Sequence, residues 1–225
     1  TYSAYGNYNI RLVVTTDKLC NDSVNKPVEV YPMPIVKFTI NDSTQCFKNH
    51  SIALTNTSTV ATGSNSYICR LGDNTNSTST SPTKTYSSYG NYNIRLVVTT
   101  DKLCNDSITK PIEVYPMPVA KFTINDSTQC FKNHSITLTN MSTVATGSNT
   151  YIWRFGDNTS STTTSPSKTY SAFGNYNVRL VVTTDKLCND SIIQPVEVYP
   201  MPVAKFTIND STQCFKKPSI ALTNN

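Results

Sequence analysis

The sequence has few of the residues on which catalytic and metal sites depend. Only two histidines occur in 225 residues, His50 and His134, each in a Lys-Asn-His-Ser segment before a predicted strand. We interpret both as exposed loop residues. With so few histidines, neither a Ser/His/Asp triad nor a histidine-rich metal site is expected. The sequence also shows no glycine-rich phosphate loop and no close acidic pair, so we expect no catalysis by this chain.

Charged residues and long apolar runs are scarce as well. Charged residues make up 15% of the chain, and the net charge of +5 is not concentrated in any lysine or arginine cluster. This dilute charge argues against a nucleic-acid partner. No apolar run approaches the roughly 18 residues of a membrane helix, so no membrane span is expected. Because the sequence has no initiating Met or signal peptide, we expect export or anchoring signals to lie outside it.

The sequence repeats with a period of 84 residues. Tyr-Pro-Met-Pro, for example, recurs at this spacing three times. We predict the C-terminal part of a module at 1–33, complete modules at 34–117 and 118–201, and the N-terminal part of another at 202–225. The complete modules differ at 16 of 84 positions, which indicates recent duplication of a unit used many times. The partial modules together lack one strand, so we expect a window of a longer, filament-like chain.

Each module is predicted to be an all-β sandwich. Thr, Ser, Asn, Tyr and Val are abundant, and no segment favours a long helix. Residues 91–100 alternate apolar and polar side chains, which indicates a half-buried strand. Tyr151, Trp153 and Phe155 share one face of a central strand that ends at a glycine turn. Prolines at the module junctions favour a stiff spacer, so we expect the sandwiches to stack end to end as an elongated rod.

Seven cysteines occupy two repeating sites and one additional position. Two sites per module suggest one disulfide per module and an oxidising, extracellular location. In residues 34–117 one cysteine precedes the predicted strand at 52–56 and the other follows the predicted strand at 91–100, and we take these positions to be at the same end of the sandwich. We therefore pair Cys46 with Cys104 and Cys130 with Cys188, leaving Cys20, Cys69 and Cys214 unpaired within the segment. The alternative is a pairing of Cys20 with Cys46 across a module junction.

The strands and turns resemble those of the PKD domain, a family of immunoglobulin-like β-sandwiches. Its Trp-x-Phe-Gly-Asp, Ser-Pro-x-x-Thr-Tyr and Gly-x-Tyr-x-Val-x-Leu motifs are carried by Trp153, Phe155, Gly156, Asp157, Ser165, Pro166, Thr169, Tyr170, Gly174, Tyr176, Val178 and Leu180. The resemblance implies that Trp153, Phe155, Tyr170 and Tyr176 belong to the core. The cysteine-containing subtype is similar to repeats in very large secreted surface proteins of Bacteroidota, including gliding-motility adhesins exported by the type IX system.

The first complete module, residues 34–117, departs from this pattern in its core. It has Cys69 and Leu71 where the family has Trp and Phe. Large-to-small core changes cost about 2–5 kcal/mol, so we predict that this module is the less stable one unless its core collapses. We interpret Cys69 as a small buried core residue. The alternative is an interchain disulfide.

Two further groups of residues are candidates for binding or modification. Asp73 and Asp157 lie in Gly-Asp-Asn turns, and the resemblance to calcium-binding PKD domains makes them candidate calcium ligands. The alternative is that each Asp only stabilises its turn. The sequences at Ser23, Ser107 and Ser191 resemble the Asp-Ser-apolar O-glycosylation signal of exported Bacteroidota proteins, and those at Ser43, Ser127 and Ser211 are weaker matches. The alternative is that they form ordinary Asx turns. No cofactor other than calcium is expected.

These features lead to one main functional hypothesis and two alternatives. The main hypothesis is a non-enzymatic structural and adhesive segment of a long secreted cell-surface protein, acting as a stalk or filament. Its partners would be neighbouring repeats, other chains of a filament and surface glycans. The first alternative is an accessory spacer or carbohydrate-binding array of a secreted protease or polysaccharide hydrolase. The second is carbohydrate or calcium binding by each module, which predicts saturable binding by an isolated repeat.

Overall fold

The chain folds almost entirely as β-strands. The computed structural model describes residues 1–48, 50–133, 135–209, 211–212 and 220–224. In these residues the strands are β1 (Gly6–Thr15), β2 (Asn21–Val30), β3 (Phe38–Ile40), β4 (Thr44–Cys46), β5 (Ile52–Asn56), β6 (Asn65–Arg70), β7 (Asn76–Ser77), β8 (Thr83–Lys84), β9 (Gly90–Thr100), β10 (Asn105–Tyr115), β11 (Phe122–Ile124), β12 (Thr128–Cys130), β13 (Ser135–Asn140), β14 (Asn149–Arg154), β15 (Ser160–Ser161), β16 (Ser167–Thr169), β17 (Gly174–Thr184), β18 (Asn189–Tyr199), β19 (Phe206–Ile208) and β20 (Leu222–Asn224). A short 3-10 helix spans Phe131–Asn133. The prediction of an all-β fold is confirmed.

Residues 34–117 contain two sheets. One has the order β3-β5-β8, and the other has the order β4-β10-β9-β6-β7. All neighbouring strands are antiparallel except β4 and β10, which are parallel. In that parallel pair Thr44 lies opposite Glu113, and Cys46 lies opposite Tyr115. Two sheets packed around one core, with short edge strands, make an immunoglobulin-like sandwich.

The second complete module, residues 118–201, reproduces this topology strand for strand. Its sheets have the orders β11-β13-β16 and β12-β18-β17-β14-β15, and β12 runs parallel to β18. The described chain divides into two compact units, residues 1–117 and 118–225. In the first unit, β1 and β2 form an additional antiparallel hairpin. In the second, β19 pairs with β20.

The longest strands follow directly from the alternation in the sequence. In β9, Ile94, Leu96 and Val98 are buried and the intervening Arg95 is exposed. Side chains on a strand alternate between its two faces, so one face of β9 joins the core and the other meets solvent. The tight turn from β9 to β10 places Leu103 at φ 64°, in the left-handed region.

Each module has its own hydrophobic core. In residues 118–201 Trp153 lies at the centre, fully buried, with Phe122 packed edge-to-face at 5.0 Å between ring centroids. Its indole Nε1–H donates to the backbone oxygen of Thr163 at 2.9 Å. The remaining buried members include Ile136, Leu138, Phe155, Tyr170, Val178, Leu180, Val182, Val196 and Val198. The core residues come from both sheets, so burial holds the two layers together.

His50 differs from the interpretation made from the sequence. It is 5% exposed and therefore buried, not an exposed loop residue. Its Nε2 accepts a hydrogen bond from the backbone N–H of Tyr86 at 2.7 Å, and its Nδ1 lies 2.6 Å from the backbone oxygen of Phe47. These two contacts fix the neutral tautomer that carries its proton on Nδ1. The imidazole thus joins the segment before β5 to the segment after β8. His134 lies outside the described residues.

Candidate functional site

The two repeating cysteines of a module lie at opposite ends of its sandwich. Cys104 directly precedes β10, whereas Cys46 lies opposite Tyr115, the last residue of β10. Ten steps along a strand cover about 33 Å, at 3.3 Å per residue. The Cα atoms of a disulfide are normally less than about 7 Å apart. The parallel β4–β10 pair therefore separates the two cysteines far beyond disulfide distance.

The disulfide pairs predicted within each module are wrong. Cys46 and Cys188 are disulfide-bonded, whereas their assigned partners, Cys104 and Cys130, are free. Cys20 is also free, which excludes its alternative pairing with Cys46. Since Cys20, Cys69 and Cys104 are the other cysteines of residues 1–117, none of them closes the Cys46 disulfide. Cys214 lies outside the described residues.

Cys69 of residues 34–117 occupies the position that Trp153 has in residues 118–201. It is free, fully buried and part of the hydrophobic core together with Leu71. Burial disfavours the thiolate and raises the pKa of Cys69 to about 11. A buried thiol of this kind is a poor nucleophile and a poor disulfide partner.

An ion pair between the two sheets follows the Gly-Asp turn in both modules. In residues 118–201 the Asp157 Oδ2 atom lies 2.6 Å from Lys168 Nζ. Lys168 belongs to β16, in one sheet, whereas Asp157 follows β14, in the other. The ammonium also donates to Thr159 Oγ1 at 2.7 Å and lies 5.2 Å from the ring centroid of Phe155. The pair Asp73 and Lys84 has the same 2.6 Å separation.

The charge on Asp157 is stabilised by these contacts. Burial by itself would raise the pKa of this carboxyl group, but hydrogen bonds from Lys168 and Thr159 and the positive charge of Lys168 outweigh it. The pKa of Asp157 therefore lies below its ordinary value. The pKa of Asp73 is lowered in the same way by Lys84 and Thr75.

The turn carboxylates do not fit a calcium site. Both oxygens of Asp157 are already engaged, Oδ2 by Lys168 and Oδ1 by the backbone N–H and the hydroxyl of Thr159. Asp73 is engaged by Lys84 and Thr75 in the same manner. Calcium takes six to eight oxygen ligands, including carboxylates. In the part of the chain that the structure describes, no group of three or more His, Cys, Asp or Glu side chains could hold a metal ion.

The lysine of this pair was not identified from the sequence. The Ser-Pro-x-x-Thr-Tyr motif left its second variable position unassigned, and that position is Lys84 in one module and Lys168 in the other. The signal that could have found it is the same lysine at both positions. A lysine between a Pro and a Thr-Tyr pair, in a segment otherwise composed of Ser and Thr, needs a counter-charge when it is partly buried.

Two tyrosines join the strands around this ion pair. Tyr170 is buried, donates its hydroxyl to the backbone oxygen of Phe155 at 2.9 Å, and stacks on Tyr176 with 3.8 Å between ring centroids. Tyr176 is partly buried, and its hydroxyl donates to the backbone oxygen of Ala172 at 2.8 Å. This bond, four residues back along the chain, is the geometry of a tyrosine corner. These motif residues thus support the frame of the sandwich.

The serines of the Asp-Ser-apolar sequences lie on the surface beside arginines. Arg11, Arg95 and Arg179 each donate a hydrogen bond to a serine hydroxyl on the adjacent strand, at Ser23, Ser107 and Ser191 respectively. Ser23 and Ser191 are exposed, and Ser107 is partly exposed. The weaker candidates Ser43, Ser127 and Ser211 are also exposed.

The same strands carry an open cleft in each complete module. In residues 118–201 the cleft has a volume of about 510 Å³ and is lined by Arg154, Gly156, Asn158, Thr159, Ser160, Asn177, Arg179 and Ile193. In residues 34–117 a cleft of about 560 Å³ is lined by Arg70, Gly72, Asn74, Thr75, Asn76, Asn93, Arg95 and Thr109. Apart from one glycine in each cleft and one isoleucine in the cleft of residues 118–201, the lining residues have polar or charged side chains. Within the described residues, no helix is long and apolar enough to cross a membrane.

Comparisons with known proteins identify the family. The family model of the PKD domain matches residues 32–116 and 115–198. The PKD1 domain of the Vibrio cholerae metalloprotease PrtV is 32% identical, with a TM-score of 0.32, and the match covers 36% of this chain and 96% of that one. For the PKD1 domain of Vibrio anguillarum Epp the identity is 28%, the TM-score 0.33 and the coverage 38% and 96%.

A structure from a 1.5-MDa bacterial ice-binding adhesin also matches, with 11% identity, a TM-score of 0.36 and coverage of 78% of this chain and 69% of that one. No curated protein matches the chain. PKD and related immunoglobulin-like domains are typically non-catalytic, and disulfide-bonded domains of this kind are typical of extracellular proteins. Because the PKD model covers two successive repeats and most of the sequence, this chain belongs to the PKD domain family.

Proposed function

We propose that this chain is a non-enzymatic repeat segment of a long secreted cell-surface protein, in which it acts as a stalk or filament. The observation that carries the proposal is that the two complete modules reproduce the same contacts between and within their sheets. The Lys–Asp pair between the sheets has the same length in both modules, and the parallel pairing of the short strand with the last strand recurs with the same register. A spacer needs one mechanical unit many times, whereas a catalytic site is needed once.

The cysteine positions argue against a disulfide that closes one module on itself. Each module carries one cysteine beside the start of its last strand and one beside the end of that strand, about 33 Å apart. Cys46 is disulfide-bonded, yet the other cysteines of residues 1–117 are free. We therefore propose that the disulfide of Cys46 does not close its own module.

Alkylation of the oxidised chain followed by mass spectrometry tests this assignment. The tryptic peptides around Cys46, Cys130 and Cys214 are identical, residues 38–48, 122–132 and 206–216, so Lys48→Gln is included to tell the Cys46 peptide apart. We expect Cys46 to stay protected from alkylation when Cys104 is replaced by Ser. If Cys104→Ser instead exposes the Cys46 thiol, the bond lies within the module and the proposal fails.

A deletion in the full-length protein tests the stalk function. The last strand of each module has 11 residues, so one module adds about 36 Å at 3.3 Å per residue. Removing residues 118–201 should bring the distal end of the protein closer to the cell surface by about this distance, measured by electron microscopy of labelled cells. Cell attachment by the distal end should weaken only through the shorter reach. Loss of an enzymatic activity with unchanged reach would favour the alternative, an accessory array of a secreted hydrolase.

Glycosylation would suit a segment exposed at the cell surface. We propose Ser23, Ser107 and Ser191 as O-glycosylation sites, with Ser43, Ser127 and Ser211 as weaker candidates. Sugar on an exposed strand shields its backbone from proteases and from pairing with other chains. Intact-mass measurement of the native protein, followed by peptide mapping, would show the added mass at these serines. Bare serines in the native protein would contradict this part of the proposal.

A further inference from the structure

Two arginines lie directly opposite each other on the outer face of each module. Arg154 of β14 is in register with Arg179 of β17, and Arg70 of β6 is in register with Arg95 of β9. Like charges directly opposite on neighbouring strands destabilise a sheet. The arrangement is nevertheless present in both complete modules, which otherwise differ at 16 of 84 positions.

No carboxylate in the described part of the chain forms an ion pair with these arginines. Among the residues that the structure describes, every ion pair involves a lysine, and none involves an arginine. The nearby Asp157 is already paired with Lys168. Arg179 donates a hydrogen bond to a neutral hydroxyl, that of Ser191, at 3.1 Å. All four guanidinium groups belong to exposed residues, so they are available to a ligand from solution.

A glycine in the turn beside the arginines lets that turn approach the neighbouring strand closely and form a wall of the cleft. Gly156 has a φ of 85°, and a Cβ atom there would lie 2.8 Å from the backbone nitrogen of Asn177. Only glycine allows this close approach of the turn to β17. Gly72 has the same relation to the backbone nitrogen of Asn93. The cleft wall is therefore a consequence of the Gly-Asp turn, and it recurs wherever that turn does.

We propose that each complete module binds an anionic polysaccharide through this arginine pair. Guanidinium groups bind carboxylate or sulfate groups with two parallel hydrogen bonds. An anion bound by two adjacent guanidinium groups would offset the repulsion between them. The amide side chains of Asn158 and Asn177 and the hydroxyls of Thr159 and Ser160 line the same cleft. These groups can donate to and accept from sugar hydroxyls.

A nucleic acid fits the cleft less well, although it is also an anion. Proteins that bind single-stranded nucleic acid stack its bases on aromatic side chains. No aromatic side chain lines either cleft among the described residues. A polysaccharide with repeating acidic sugars also offers one charged group after another, which suits an array of identical modules. The proposal adds a ligand to the segment and does not depend on its function as a stalk.

Binding to defined polyanions by the unglycosylated 225-residue chain tests the proposal. The ligands are polygalacturonate, which carries carboxylates, chondroitin sulfate, which carries carboxylates and sulfates, and neutral dextran. We expect binding of the acidic polysaccharides, weakened by added salt, and no binding of dextran. The variant with Arg70→Gln, Arg95→Gln, Arg154→Gln and Arg179→Gln should bind at least about tenfold more weakly, because its bidentate contacts are lost.

A second variant removes the same charge elsewhere. Lys37→Gln, Lys48→Gln, Lys121→Gln and Lys132→Gln replace four exposed lysines that do not line the clefts. This variant should retain most of the binding. Equal losses in the two variants would mean that only net charge matters, and the proposal would be wrong. It would also be overturned if dextran bound as well as the acidic polysaccharides, if none of them bound, or if a single-stranded oligonucleotide displaced them at lower concentration.

The thermal midpoint of the arginine variant should be unchanged or higher, since like-charge repulsion is removed. A clear fall would assign the arginines a structural role instead.

Discussion

The ion pair between Lys168 and Asp157 should stabilise its module by more than a surface salt bridge does. The two side chains are only 13% and 18% exposed, and their charged atoms lie 2.6 Å apart. An exposed pair contributes about 0–1 kcal/mol, whereas removing one partner of a buried pair costs about 3–5 kcal/mol. For this intermediate burial we expect Asp157→Asn to lower the free energy of unfolding by about 2 kcal/mol. The remaining ammonium would then lie partly buried against aromatic rings without a counter-charge.

The single tryptophan makes this change measurable in one module at a time. Trp153 is the only tryptophan of the chain and is fully buried. Its fluorescence during urea denaturation therefore follows the unfolding of residues 118–201. The matched control is Asp73→Asn, which removes the equivalent carboxylate of the other module and should leave the tryptophan transition in place. The reasoning would be refuted if Asp157→Asn left the midpoint unchanged or if both substitutions moved it equally.

The contribution of this pair should also depend on pH in a defined direction. The pKa of Asp157 is lower in the folded protein than its ordinary value. A lowered carboxyl pKa stabilises the fold at pH values above the unfolded pKa, about 3.9, and this stabilisation is lost as the pH falls through the folded pKa. The difference in stability between the wild type and Asp157→Asn should therefore be full at neutral pH and shrink below about pH 4. A difference that stayed constant down to pH 2 would contradict an electrostatic origin.

Three further substitutions or labels test other parts of the frame. His50→Ala should destabilise the first complete module by about 1–3 kcal/mol, because the backbone N–H of Tyr86 loses its buried acceptor; circular dichroism melting would show it, and an unchanged midpoint would contradict the contact. Cys69 should react with a thiol reagent only after unfolding, since it is fully buried; rapid labelling of the native protein at this residue would show that the core opens. Gly156→Ala should cost about 2 kcal/mol through its left-handed backbone and the contact with Asn177; the tryptophan transition measures this loss, and a neutral effect would mean that the turn shifts to accept a Cβ atom.

Much of the fold could be predicted because its strongest signals are local. The alternation from residue 91 to 100 is visible in the sequence, and β9 has the corresponding alternation of buried and exposed side chains. The all-β class followed from composition and from the absence of helical periodicity. The repeat strengthens these signals, because each pattern occurs in more than one module.

What the sequence did not reveal depends on contacts between distant segments. The strand β4 has three residues and pairs with β10 about seventy positions later, and a three-residue strand carries no usable periodicity. Without that pairing the two cysteines seemed to lie at the same end of the sandwich. His50 was misplaced for a similar reason, since its burial depends on a backbone N–H 36 residues away. Lys168 was overlooked because its counter-charge belongs to the other sheet.

The parallel pairing of the short strand with the last one determines how a module resists pulling. Phe47 N–H donates to the oxygen of Tyr115, and Glu113 N–H donates to the oxygen of Ser43, both at 2.8 Å. Tension applied at the two ends of a module acts along these parallel strands, across the direction of their hydrogen bonds. The bonds are then sheared together and cannot open one after another like a zipper. Forced unfolding is governed by the rate of crossing this barrier and not by equilibrium stability. A module of modest thermodynamic stability can therefore resist brief mechanical loads.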